Sequence, residues 1–242
     1  MKKVNAVKYF AGTALAVAIS SAAVAEPTRG FSIEHGTIAE KGAVSVELAD
    51  GVNGFGVGAR AGFGNAEFVI NSGQVGVGDQ TDAIIKIGLP ALEGLSELNH
   101  SWSVFGGWSV YKNEVSSNNK EKYNSFSAGV AFSAEVEKLS FTVTPVLIVD
   151  GAVGGVGSAS QETKTYMNIG MGAYFDLGET AYGSFKPGAE VVASTLSGKD
   201  TALNLGVRWG LNDRVNIDLI PLQFGGADTL SLPGQFRLNA AF

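Results

Sequence analysis

The chain has 242 residues, no cysteine, 33 glycines, 6 prolines and a formal charge of −6, with 45% hydrophobic residues and a mean hydropathy of +0.16. That is too apolar for a disordered protein, and without cysteine a disulfide framework, a CxxC redox pair and a cysteine zinc site are excluded. The acidic pI near 5.0 speaks against nucleic-acid binding, which goes with a basic patch.

Lys2, Lys3 and Lys8 form a basic start, Ala11 to Ile19 a short apolar stretch, and Ala23-Val24-Ala25 an A-x-A cleavage site. This three-part pattern predicts a secretory signal peptide over residues 1–25, cut after Ala25. The apolar stretch is too short to span a membrane, which takes about 20 residues. Cleavage leaves 14 basic and 23 acidic residues, a net charge of −9. Residues 26–41 follow as a segment with Glu26, Arg29, Glu34, Glu40 and Lys41. Three placements suit it: free in the periplasm, an extension of the first strand, or a plug folded into a lumen.

From Gly42 to Phe242 the dominant period is two, the signature of half-buried strands. Phe55, Val57, Ala59, Ala61 and Phe63 alternate with Gly56, Gly58, Arg60 and Gly62, and the same pattern recurs to the last residue. Such runs predict about twelve strands of roughly 8–13 residues, near the 9–11 that a tilted strand needs to cross a bilayer. They begin near residues 42, 54, 66, 81, 101, 123, 139, 164, 180, 201, 213 and 234. Tight turns at Gly64-Asn65, Glu135–Lys138, Gly178-Glu179 and Asn212-Asp213 alternate with longer loops at Asn71–Asp82, Lys112–Lys122, Asp150–Lys164, Ser197–Thr201 and Gly225–Gly234. Leu89–His100 breaks the rule by being long where a short turn belongs. Pro145 and Pro187 fall inside strands, where a missing N–H predicts local bulges.

The expected fold is all-β: a closed antiparallel up-and-down transmembrane β-barrel, short-turned on the periplasmic side. A soluble sandwich would also alternate. Against it stand a polar face rich in glycine and serine, and aromatics gathered where strands meet the short turns: Phe63, Phe68, Trp102, Phe132, Phe141, Phe175, Trp209 and Phe242. One membrane edge would collect them as a girdle.

The chain ends in Phe242, with Leu238 and Phe236 on the same face. This resembles the C-terminal strand signature of Gram-negative outer-membrane β-barrel proteins, a small porin-like class and not a specific family. The resemblance implies that Phe236, Leu238 and Phe242 are read by the barrel-assembly machinery. It also implies a place in the bacterial outer membrane, in contact with lipid and lipopolysaccharide. Both termini would then face the periplasm, so the strand number should be even; twelve satisfies this, and ten or fourteen stay open.

With the apolar set facing lipid, the lumenal charges are Glu47, Arg60, Glu67, Lys86, Asp176, Lys186, Glu190, Arg208, Asp218 and Arg237. They either satisfy one another in a polar interior or form a charged constriction that tunes solute passage. Their sign balance argues against strong ion selectivity. Lumenal glycines are expected to leave space in the interior. The mature chain's two histidines, His35 and His100, are expected at the surface, and neither suits the base that outer-membrane hydrolases set toward the outer rim. No GxSxG, HExxH or P-loop motif occurs. Asp150–Lys164 offers too few oxygen ligands for a calcium cage. Lys112–Lys122 reads as a solvated external loop, or as a contact for lipopolysaccharide phosphates or a phage.

These readings favour a narrow passive channel for small hydrophilic solutes, with no enzyme activity, catalytic residue, metal, cofactor or nucleic-acid partner. A structural or surface-contact barrel closed by salt bridges is the alternative, and an outer-membrane hydrolase comes third.

Overall fold

The computed structural model describes residues 29, 33–51, 54–75, 78–95, 97–116, 119–152, 163–197, 201–224, 230–231 and 235–242. The expected signal peptide, the stretch 153–162 with Gly154, Gly155 and Gly157, and most of Gly225–Gly234 lie outside them.

Twelve strands close one antiparallel ring. In chain order they are β1 (Val44–Gly51), β2 (Gly54–Gly62), β3 (Ala66–Val75), β4 (Gly78–Gly88), β5 (Asn99–Ser116), β6 (Asn119–Val136), β7 (Leu139–Ala152), β8 (Lys164–Phe175), β10 (Gly183–Ser194), β11 (Ala202–Asn212), β12 (Val215–Phe224) and β14 (Gln235–Ala241). Two-residue strands β9 (Glu179–Thr180) and β13 (Leu230–Ser231) attach to β10 and β12. Each strand pairs with its chain neighbours, and β1 pairs with β14 to close the ring. The first residue of β1 and the residue after β14 reinforce that seam: Val44 and Phe242 exchange two backbone hydrogen bonds, at 3.2 and 2.7 Å.

The period of two has become two faces. Phe55, Phe63, Phe68, Ile70, Ile85, Trp108, Phe126, Met171, Phe175, Leu219 and Phe236 are exposed on the outside. A closed ring leaves no unpaired strand edge, which is what lets a sheet face lipid. Cross-strand pairs put Trp102 beside Phe132 and Phe185 beside Trp209 near the turn end, and the latter rings stack 5.9 Å apart. A second outward aromatic set, Phe55, Trp108, Phe126 and Phe236, lies toward the loop end. From Phe55 to Phe63 is about 26 Å along the strand, or roughly 20 Å along the barrel axis at a tilt near 40°, against an apolar band of about 25 Å.

Three expectations need correction. Asn71–Asp82 and Lys112–Lys122 are not long loops. β3 and β4 stay paired to Val75↔Gly78, and β5 and β6 run 18 residues each, pairing to Ser116↔Asn119. The backbone pairing runs on through these polar stretches, so their polarity marks the end that leaves the membrane and not a break in the sheet. Nor do Pro145 and Pro187 bulge. The β6–β7 ladder skips from Gly129↔Val146 to Phe132↔Val143 without changing register, and the β8–β10 ladder begins at Gly188, just past Pro187. A gap and a ladder end absorb the missing donors.

A proline does sit at a bulge, but it is Pro221. Leu205 pairs with Leu222 but Val207 with Leu219, so Ile220 and Pro221 together oppose Gly206. On the other side the β12–β14 ladder ends at Ile220↔Gln235. Pro221 thus lies outside both ladders, where its missing N–H costs nothing.

Candidate functional site: the barrel interior

Alternation turns Glu47, Arg60, Glu67, Lys86, Glu190, Arg208, Asp218 and Arg237 inward, and six of them, all but Glu47 and Arg208, are buried. Facing pairs follow from register. Arg208 stands opposite Asp218 and binds it through two nitrogens at 2.7 and 2.9 Å. Arg237, also opposite Asp218, lies 3.4 Å from it and 3.2 Å from Glu47. Arg60 Nη1 donates to Glu67 at 2.7 Å. Glu190 accepts the Tyr174 hydroxyl. Lys186 stands apart at the turn-end rim, 3.2 Å from Asp176. Burial works against ionisation of Asp176, but the Gly178 N–H at 2.7 Å and Lys186 outweigh it and hold the carboxyl below its usual range. Phe236 is exposed on the outer face and Leu238 and Phe242 are half-buried.

The amino-terminal segment lies among these side chains. Glu34 takes two hydrogen bonds from Arg60, at 2.7 and 3.0 Å, and one from Lys86 at 3.4 Å. Arg29 reaches Glu47 at 3.3 Å, and its carbonyl accepts Arg208 at 3.0 Å. Backbone contacts fasten the rest: Gly36 N–H to Ser133 Oγ at 2.8 Å, Ala39 N–H to Glu67 at 2.9 Å, and Thr144 Oγ1 to the Glu34 carbonyl at 2.8 Å.

Several of the lumenal glycines do not leave empty space, contrary to expectation, although Gly56 and Gly210 border open spaces. A Cβ at Gly170 would come within 2.6 Å of Ile33, and one at Gly88 within 3.0 Å of Ile38. At Gly62 it would collide with the Ala39 and Glu40 carbonyls. These glycines are grooves filled by the segment, while Gly129 and Gly188 accommodate the rings of Phe105 and Tyr174. His35 likewise corrects its expected surface place. It is half-buried in the interior, on the cavity at the turn end, meets Tyr174 edge-on at 5.4 Å, and its shielded Nε2 has no hydrogen-bond partner among the described residues. Burial first, then Arg208 and Lys86, push its imidazole down to about 3. Burial opposes ionisation of Glu34, but Arg60, Lys86 and Arg29 prevail and keep its carboxyl well below the usual range. His100 sits at the turn end, where Nδ1 donates to the Leu98 carbonyl and Nε2 accepts the Leu92 N–H at 2.9 Å. That pattern fixes one neutral tautomer and pins the Leu89–Leu98 connection.

A cavity of about 700 Å³ opens at the turn end, lined among others by His35, Ser133, Thr142, Tyr174, Lys186 and Arg208. Toward the loop end is a space of about 160 Å³ beside Arg29, Glu47, Asn71 and Asp82. Between them lies one of about 30 Å³, lined by Arg29, Arg60, Arg208, Arg237, Glu47 and neighbouring asparagines. It shares Arg208 and Asn216 with the first and Arg29, Glu47 and Asn71 with the second. About 30 Å³ holds one or two waters.

Solved structures similar to this chain include two porins and a translocator domain. A KdgM porin in complex with disordered oligogalacturonate matches 83% of this chain and 98% of its own, at 9% identity and TM-score 0.48. The NanC porin matches 82% and 97%, at 10% identity and TM-score 0.45. The translocator domain of the autotransporter NalP from Neisseria meningitidis matches 83% and 86%, at 12% identity and TM-score 0.45. The chain folds as a closed, twelve-stranded antiparallel β-barrel. No protein-family model and no curated protein matches its sequence, so the likeness is one of fold.

Sequence reading missed Glu34, His35 and Tyr174 as interior residues. Tyr174 carried a signal, since it shares the inward parity of Gly170 and Gly172. Glu34 and His35 carried none, because no periodic element contains them.

Proposed function

We propose that this chain is a narrow outer-membrane channel for small hydrophilic solutes, held closed by its own Arg29 and residues 33–40. One observation supports the reading most: the polar interior has a space of about 700 Å³ at the turn end but only about 30 Å³ at the ion-pair layer. Arg29, which lines the small space, belongs to the segment and not to the wall, and Arg60 beside it is bonded to the segment's Glu34. The turn end, where Phe242 meets Val44, faces the periplasm in this reading. Export through a signal peptide over residues 1–25 and assembly through Phe236, Leu238 and Phe242 complete it. Lipid and lipopolysaccharide are its surroundings, and no catalytic step is involved.

A second reading has its own support, because Arg208, Arg237, Asp218 and Glu47 pair within the wall without the segment. It makes the protein a structural barrel with a permanently closed lumen. Planar-bilayer recordings separate the two. The mature chain should give rare, small unitary steps, and a form lacking residues 26–40 larger and longer ones. Complete silence from both favours the closed barrel.

A further inference from the structure

The ion pairs of the interior divide into two kinds. Around Arg208 and Arg237 both signs come from the wall, as Asp218 and Glu47 are strand residues. Around Arg60 and Lys86 a wall carboxylate, Glu67, is joined by one brought in by the segment. Glu34 lies across the Arg60 guanidinium with each oxygen bonded, at 2.7 and 3.0 Å, and Lys86 closes on it at 3.4 Å. This planar fork-to-fork pairing is the geometry in which arginine recognises a free carboxylate. Lys86 is 0% and Arg60 7% exposed, so the pair is built into the wall and not a surface accident. Arg60 also borders the narrow middle space, on the path between the two larger ones.

We propose that Arg60 and Lys86 form a carboxylate seat in the channel, occupied by Glu34 in the closed state and by a small carboxylate-bearing solute during passage. The inference rests on the channel reading above. Glu34 is a tethered ligand, so a solute competes with a group held at a high effective concentration, and millimolar solute is needed to displace it. Hydrogen bonds that Glu34 takes from Arg60 and Lys86 pass to the solute, so the seat's charge stays compensated through the exchange. Displacing Glu34 also loosens the segment it anchors, which couples arrival of the solute to opening. The wall–wall pairs on the adjoining strands β1, β11, β12 and β14 stay intact and give the permeating solute no second site of this kind.

Glucuronate and glucose are the probes, since they differ chiefly by the carboxylate. In bilayers holding the mature chain, millimolar glucuronate should raise open probability by about tenfold, whereas glucose should leave it unchanged. In the form lacking residues 26–40, glucuronate should produce resolved current blockades and glucose none. Lys86→Gln in that form should shorten the blockades about tenfold. Glu34→Gln in the full mature chain should open it without added solute. Heat-dependent gel migration checks that each variant is folded, and the comparison of two sugars needs no variant. If the shortened form conducts but both sugars act alike, the seat is overturned and the channel stands. If neither form conducts, the channel reading falls and takes the seat with it.

Discussion

At the scale of single residues, the interior illustrates how burial and pairing compete. Removing one partner of a buried ion pair leaves the other charge unsatisfied, which costs several kcal/mol; Asp218, shared by Arg208 and Arg237, is such a hub. His35 is a different case, a half-buried ring whose shielded Nε2 is unpartnered among the described residues. Arg208, Lys86, Arg60 and Glu34 surround it electrostatically and Tyr174 packs on it. Docked, its pKa is about 3; released, it returns to about 6.5. Protonation therefore favours release: docking is at full strength above about pH 6.5 and weakens as pH falls toward 3. At pH 5 the loss is about 2 kcal/mol, or about 30-fold in the docking equilibrium. Glu34, held below its usual range, adds to the loss at lower pH. Open probability in bilayers should rise between pH 7 and 5, and His35→Gln should flatten that rise; a wild-type chain indifferent to pH over this interval would contradict the docked geometry.

Among the elements, hairpins set most of the fold. Glu137 begins the two-residue turn between β6 and β7 at φ 53°, in the left-handed region that an L side chain enters at a cost. The turn is tied to its neighbour, since the Lys138 carbonyl accepts the Asp176 N–H at 2.7 Å. Glu137→Gly should relieve that strain, net of the freedom glycine regains when unfolded, by about 0.5–1 kcal/mol. Urea unfolding of the protein in detergent should show a higher midpoint; an unchanged or lower one would mean that the turn is not strained. The strands themselves were largely legible in the sequence, because each must show lipid one face and the interior the other, and that demand writes a period of two. β2 was expected from residue 54 and β7 from 139, and both begin there. Their outer ends were not legible. In β5 and β6 the chain leaves the membrane while still paired, so the apolar half of the pattern disappears although the ladder continues. The residues before Lys41 were illegible for a further reason. Their conformation is set by contacts with distant strands, such as Gly36 with Ser133 and Ile33 near Gly170, and no local pattern records those.

For the whole molecule, the decisive property is closure. The ring has no free edge among its twelve main strands, so local unfolding must break two ladders wherever it begins. Such a barrel should keep its shape in mild detergent without heating and run faster on a gel than the boiled chain. Identical mobility before and after boiling would count heavily against the closed ring. The glycine excess belongs to this scale too. At Gly62, Gly88 and Gly170 it marks where the wall lies closest to the segment inside it, so wall and filling have matched shapes.

The register step at Pro221 gives β12 an unusual length account. Of its ten residues, Val215–Phe224, the nine from Asn216 to Phe224 face only the eight from Leu203 to Gly210, because Ile220 and Pro221 share the place opposite Gly206. The residues beyond keep their faces: Leu222 pairs with Leu205, and Gln223 with inward-facing Asn204. Without Pro221 the strand would read Val-Asn-Ile-Asp-Leu-Ile-Leu-Gln-Phe, an unbroken alternation with every side chain on the face it occupies now. The proline is thus a supernumerary residue, tolerated at the one point where the ladder asks nothing of its nitrogen.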